Sequence, residues 1–390
     1  MDAARLDAHL SAVGVDGYLI DADGEEADQR YLSGFDAPDP YLTLYTPDAL
    51  RLLVSELEYG RARRESAADE VARLADFGYA DKRAESGARA ARRAVAAEFL
   101  ADAGVHSVAV PGRFPLDTAD GLRERGVTVE PDEQGIVTEI RAVKTDEEVD
   151  HVRAAQRANE AAMARAEALI AGANVVDGAL RHEGEPLTAE TVKQAIEMEL
   201  LRHGCGLDDT IVAGGAQGAD PHDRGSGPLP AHEPVVVDVF PRSKETHYHA
   251  DMTRTFVRGE PTDEVRRRFA VTLEAMEAAF DAIEPGVTGA AVHDAVCDVY
   301  EAQGYDTLRS DPSAETGFIH GTGHGVGLDV HELPRLSPAG EELEAGNVVT
   351  VEPGLYDPEV GGMRVEDFVL VTEDGYENLV DYPKALVVGE

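Results

Sequence analysis

Acidic residues interrupt the most strand-like apolar runs of this chain, and that constrains what its second half can fold into. The run EPVVVDVF closes its apolar stretch on Asp238, and a second strand-like run, HADMTRTFV, carries Asp251. Further on, VVTVEPGLY puts Glu352 at the end of an apolar run, directly before Pro353. GGMRVEDFVLV puts Arg364 and Glu366 two apart, which on one continuous strand is a single face. Burying a carboxylate without a partner costs several kcal/mol, so each of these acids needs a salt bridge or a metal.

Between them lies HGTGHGVGLDVHE (320–332), in which His320, His324 and His331 are spaced by glycines at 321, 323, 325 and 327. Those glycines would cost a helix interior roughly 1 kcal/mol each, so this is not the two-histidine helix of the zinc proteases. It reads as a loop or irregular strand shaped around a site. His320 reads as packing or support for that site, and Arg335 carries a weaker signal.

One shared explanation covers Asp238, Asp251, Glu352 and Glu366, with His324 as a nitrogen donor. Two like charges 4 Å apart repel by about 4 kcal/mol at an effective dielectric of 20, so four converging carboxylates cannot all stay ionised without cations. Two divalent ions balance four acids, and a water between them becomes acidic enough to act near neutral pH. The oxygen-rich set with one imidazole and no thiolate suits manganese, cobalt or zinc, and leaves the choice among them open. The two cysteines, Cys205 and Cys297, have no metal-site or disulfide spacing and read as core residues.

At 390 residues the chain exceeds one ordinary core, so two domains are expected. Residues 1–140 alternate strands (GYLI, LRLLVSE, HSVAVPG, GVTVEP) with a helix over 84–103, an α/β module. Residues 141–390 read as α+β: a long helix from a Thr145 cap to Gly172, helices near 188–203, 262–283 and 287–303, and strands at 234–240, 250–258, 347–352 and 363–372.

The charge balance is extreme, with 76 acidic against 35 basic residues and a net charge of -41. Such a surface repels nucleic acid and anionic lipid. No block of five or six acids occurs, so a local acidic docking tail is disfavoured and adaptation to concentrated salt is expected. The first residues lack a basic start followed by an apolar run, and no stretch approaches eighteen apolar residues. A cytoplasmic protein that does not bind membranes is expected.

These motifs, in this order, resemble the pita-bread (M24) metallopeptidases: methionine aminopeptidase, prolidase and Xaa-Pro aminopeptidase. The resemblance runs from about 141 to 390, starting at RAVKTDEEVDHVRAA, and the preceding 140 residues look like a creatinase-type N-terminal domain. It implies metal ligation by Asp238, Asp251, His324, Glu352 and Glu366. It further implies substrate and oxyanion contacts from His222 (ADPHDR) and His331 (DVHE), proton handling by Glu352, and an orienting role for Arg364. Tyr356, which follows the VEPGLY glutamate, is expected to line the substrate pocket. The twelve residues between Asp238 and Asp251 make a longer hairpin than is common in the family, and His247, Tyr248 and His249 within it receive no role.

The implied fold is an α/β N-terminal domain plus an α+β pita-bread catalytic domain. The implied activity is two-metal hydrolysis of the bond between an N-terminal residue and proline in small peptides, with manganese preferred, by a homodimer. A metal-dependent hydrolase of a non-peptide amide, such as a compatible solute, is the alternative. A non-catalytic binding protein is disfavoured because all five ligands are present.

Overall fold

A computed structural model describes residues 1–389. By its contacts the chain divides into two compact units, Met1–Arg141 and the remainder from Ala142, where sequence reading puts the boundary between 140 and 141.

The first unit is built on a mixed six-stranded sheet in the order Glu70–Arg73, Leu50–Val54, Tyr41–Tyr45, Gly17–Ala22, Ser107–Pro111, Thr128–Asp132. Alternating apolar residues Leu42, Leu44, Val108 and Val110 pack onto Val95, Phe99 and Leu100 of the helix Ala88–Asp102. The single helix expected over 84–103 is two helices, Tyr79–Ser86 and Ala88–Asp102. Gly87 separates them at φ +84, a left-handed conformation that a glycine adopts without the Cβ clash facing other residues.

The second unit opens with the helix Asp146–Ala171. Thr145 accepts from the Glu148 backbone while Glu148 reaches back to the Thr145 N–H at 2.9 Å, a reciprocal cap. This helix packs with Ala189–Arg202 against the sheet Thr210–Gly214, Val235–Val239, Met252–Arg258, Val387–Val388. A second helix pair, Asp263–Ala282 and Gly289–Ala302, shares a core with the sheet Glu332–Leu336, Gly323–Gly325, Val348–Val351, Asp367–Thr372, Gly375–Asn378. Each sheet therefore has one face committed to helices.

Strand alternation decides what the other face carries. Val235, Val237 and Val239 enter the first helical core, which turns Asp238 away from it. Val349 and Val351 enter the second core, which likewise turns Thr350 away. Among the described residues no helix is long and apolar enough to cross a membrane.

The strand expected over 363–372 is interrupted. Gly361–Arg364 pairs with Gly354–Asp357, whereas Asp367–Thr372 pairs with Val348–Val351. Arg364 and Glu366 thus do not share one continuous strand face. Glu366 sits at the break, its N–H donating to the Thr253 carbonyl at 3.0 Å and its carbonyl accepting from Arg254 Nη1 at 2.6 Å. Asp251, expected within a strand, directly precedes Met252–Arg258.

Candidate metal centre

Asp238, Asp251, His324, Glu352 and Glu366 all line one cavity of about 670 Å³. Asp251, His324 and Glu366 each offer a ligand atom, and these atoms lie within 4.8 Å of one another. Glu352 borders that trio: its Oε1 is 3.4 Å from His324 Nε2, with Asp251 Oδ2 at 3.8 Å from the same nitrogen. Asp238 is engaged by Arg364, whose Nη2 donates to Oδ2 at 2.6 Å.

His324 is oriented for ligation. Its Nδ1 faces the Gly325 carbonyl at 3.0 Å, so the proton is assigned to Nδ1 and the lone pair of Nε2 points at the carboxylates. Burial and the neighbouring His331, whose ring centroid is 4.2 Å away, push its pKa down to about 3, so the imidazole is neutral. Its backbone N–H donates to Thr350 Oγ1 at 3.0 Å, which makes use of the threonine facing away from the helical core.

The acids show the electrostatic tension foreseen from sequence. Burial raises the carboxyl pKa of Asp251 and Glu366 well above the usual range, with the neighbouring carboxylates adding to it. Burial lifts Glu352 to about 7, against the opposing pull of Arg364. Asp238 Oδ1 and Asp251 Oδ1 are buried with no hydrogen-bond partner among the described residues. Four carboxylates meet one guanidinium, and two of their buried oxygens lack a donor among the described residues. The residues present fit divalent cations.

Around this cluster a donor chain holds Arg364 in place. Thr253 Oγ1 donates to Glu366 Oε2 at 2.8 Å and accepts from Arg364 Nε at 3.1 Å. Thr255 Oγ1 accepts the Arg364 N–H at 3.1 Å and donates to its carbonyl at 2.8 Å. Arg364 Nη1 donates to the Tyr356 hydroxyl at 2.9 Å. His320 Nδ1 faces the Gly321 carbonyl at 2.6 Å, which leaves its Nε2 to accept from Tyr356 at 2.8 Å.

His222, His320, His331 and Arg364 also line the cavity, with His222 and His331 solvent-exposed. Tyr356 does not line it. It is fully buried behind Arg364, its hydroxyl committed to Arg364 and His320, so the expected place on the pocket wall is corrected to one of support. Arg335 does not line the cavity either, and its backbone N–H donates to Glu341.

Sequence reading missed Thr253, Thr255 and Thr350. A signal existed: Asp251, Thr253 and Thr255 alternate, so hydroxyls follow a ligand along one face of a buried segment. It also missed the Lys144–Glu332 pair, 2.6 Å apart and sealed from solvent, beside His331.

Comparison with known proteins agrees with this architecture. Residues 150–373 match the metallopeptidase family M24, and residues 3–154 match the creatinase/prolidase N-terminal domain. A Xaa-Pro dipeptidase of Pyrococcus horikoshii is 27% identical over 395 residues, covering 99% of this chain and 96% of that protein. A Xaa-Pro dipeptidase of Pyrococcus furiosus is 33% identical over 257 residues, covering 65% and 67%. Among solved structures, the Pyrococcus horikoshii prolidase superposes with a TM-score of 0.79 at 25% identity over 98% of this chain and 99% of that one. The X-Pro aminopeptidase of Thermotoga maritima gives 0.79 at 26% identity over 98% and 100%. Carrying the M24 match over most of its second unit, behind a creatinase/prolidase N-terminal domain, this chain belongs to metallopeptidase family M24.

Proposed function

We propose that the protein hydrolyses the amide bond between an N-terminal residue and proline, using two divalent cations, with manganese preferred over cobalt and zinc. The reading rests on a buried, cation-deficient cluster of four carboxylates and one neutral imidazole, in a chain that aligns end to end with a Xaa-Pro dipeptidase. The same relatives favour a peptide over a compatible-solute amide as substrate.

In this reading Asp251, His324 and Glu366 hold cations together with Asp238 and Glu352. Such ions supply Lewis acidity toward a carbonyl and make water acidic near neutral pH. Glu352 takes the proton released by the attacking water. Arg364 fixes Asp238 directly and Glu366 through Thr253, so two ligands keep their register during turnover. His222 and His331, on the cavity wall, donate to the oxyanion that develops at the scissile carbonyl. The proposal extends to a cytoplasmic homodimer.

The test is cleavage of a mixed panel by manganese-loaded protein in concentrated KCl, followed by mass spectrometry: Xaa-Pro peptides, proline-free controls and ectoine-type amides. Cleavage confined to Xaa-Pro bonds, lost with EDTA and restored by manganese, is expected. A protein shown to carry metal that leaves every Xaa-Pro bond intact would refute the proposal.

A further inference from the structure

The first unit holds a cavity of its own, about 180 Å³, at one end of its six-stranded sheet. Gly17–Ala22 pairs with Tyr41–Tyr45 on one side and, in parallel, with Ser107–Pro111 on the other. The chain leaves Gly17–Ala22 to build one half of the sheet and returns to build the other, so the order of strands reverses there. Open α/β sheets take ligands outside the carboxyl ends of their strands at such a reversal. The cavity is in that place: its walls include Asp21 near the end of Gly17–Ala22, Val54 and Ser55 at the end of Leu50–Val54, and Leu74 directly after Glu70–Arg73.

We propose that this cavity binds a free amino acid with a small apolar side chain, its ammonium toward Asp39 and its carboxylate toward Arg92. The site lies within the first unit alone and does not depend on the Xaa-Pro reading. Three observations carry it.

The first is a carboxylate where the sheet otherwise places leucine. Asp21, Leu42 and Leu53 stand opposite one another across three adjacent strands, and on that face Leu19, Leu42, Leu44 and Leu53 join one apolar core. Asp21 is a buried acid at the end of this face. Its Oδ1 accepts from Arg92 Nη2 at 3.1 Å and its Oδ2 from Thr118 Oγ1 at 2.6 Å. The same Nη2 donates to the Pro40 carbonyl at 3.1 Å. The guanidinium is thereby held among the cavity walls by one nitrogen, while Nη1 and Nε make no hydrogen bond among the described residues. Most of its N–H donors remain for a ligand carboxylate.

The second is charge. Asp21 and Arg92 offset each other, which leaves Asp39, exposed and without an ion pair among the described residues, as the unbalanced charge of the wall. An anionic ligand is disfavoured there. A zwitterion sets its ammonium against Asp39 and its carboxylate against Arg92, and adds no net charge.

The third is size and lining. Leu42, Leu53, Val54, Leu74 and Ala96 give the cavity an apolar wall. A cavity of about 150 Å³ holds benzene, so this one suits a body the size of valine or proline. Ser55 Oγ is buried on the same wall with no hydrogen-bond partner among the described residues, a polar atom left for the ligand to satisfy.

The test is calorimetric titration of the full-length, EDTA-treated protein in concentrated KCl with valine, valinamide and N-acetylvaline, alongside melting curves. EDTA keeps an amino acid held by metal out of the signal. Valine is expected to bind at one site per chain and to raise the melting temperature. Valinamide lacks the carboxylate and N-acetylvaline lacks the ammonium, so each is expected to bind at least about tenfold more weakly. Asp39→Asn and Arg92→Gln are each expected to weaken valine binding about tenfold. Asp39 has no partner to lose, so its variant keeps the fold even if Arg92→Gln melts early. Absence of both heat and melting shift with valine, equal affinity for valine and either analogue, or valine binding that survives the Asp39→Asn substitution would overturn the site. None of these outcomes alters the cleavage of Xaa-Pro bonds, which is read in a separate assay.

Discussion

Thr253 shows how much of the site depends on one small group, since its hydroxyl donates to Glu366 and accepts from Arg364 at the same time. Thr253→Val keeps the volume but leaves both partners short of a hydrogen bond. Manganese affinity, measured by chelator competition, is expected to fall about 10- to 100-fold, and an unchanged affinity would show that the hydroxyl does not orient Glu366. Glu352 carries a pH prediction for the metal-free protein. Its carboxyl is lifted to about 7, above the value of about 4.3 in an unfolded chain. Between those values the folded state keeps a proton that the unfolded state has released, so stability falls as pH rises through the window. In EDTA, urea midpoints of wild type should decline more steeply from pH 4.5 to 7 than those of Glu352→Gln, and parallel curves would contradict the assignment. The four acids stood out in the sequence because charge in an apolar run demands a reason, and His324 because glycines space the histidines of its motif. Thr253 and Thr350 were not, because threonine is an ordinary strand residue.

Among the elements, the helix Asp146–Ala171 was readable from its cap, where Thr145 and Glu148 announce the first turn. The Gly87 break was hidden because Ala- and Arg-rich sequence on both sides favours helix equally. The interruption at Val365–Glu366 was hidden for a different reason: MRVEDFVLV looks continuous, and only the pairing of each half with a different strand turns Glu366 toward Thr253. Tertiary contact overrode local pattern there. The segment before the long helix carries its own consequence, because Lys144 Nζ lies 2.6 Å from Glu332 Oε2 with each side chain 1% exposed. The pair ties the start of the second unit to the loop that bears His331. Lys144→Met removes the ammonium from a buried carboxylate and is expected to cost about 3–5 kcal/mol in denaturant unfolding. Lys144→Met/Glu332→Met, which removes both charges, should recover much of that loss. A double variant no more stable than the single one would mean that packing, and not charge, is what the pair provides.

Over the whole molecule the charge sets the terms. With 76 acids and 35 bases, pairing every base would still leave 76 − 35 = 41 acids without one. Many ion pairs are exposed, such as Arg202–Glu199 and Arg266–Glu260, and such pairs contribute about 0–1 kcal/mol each, less as salt rises. Screening therefore removes little attraction and much repulsion. The Debye length falls from about 10 Å at 0.1 M to about 3 Å at 1 M, shorter than most separations between surface carboxylates. The melting temperature is expected to climb between 0.1 and 2 M KCl and to climb equally in NaCl, since the effect is ionic strength and not a specific cation site. Repeating the titration with EDTA present separates this term from the metal centre: the metal-free protein should start lower and rise in parallel. A melting temperature that is flat or falls with salt would show that the acidic surface is neutralised by some means other than screening, and the expectation of adaptation to concentrated salt would fall with it.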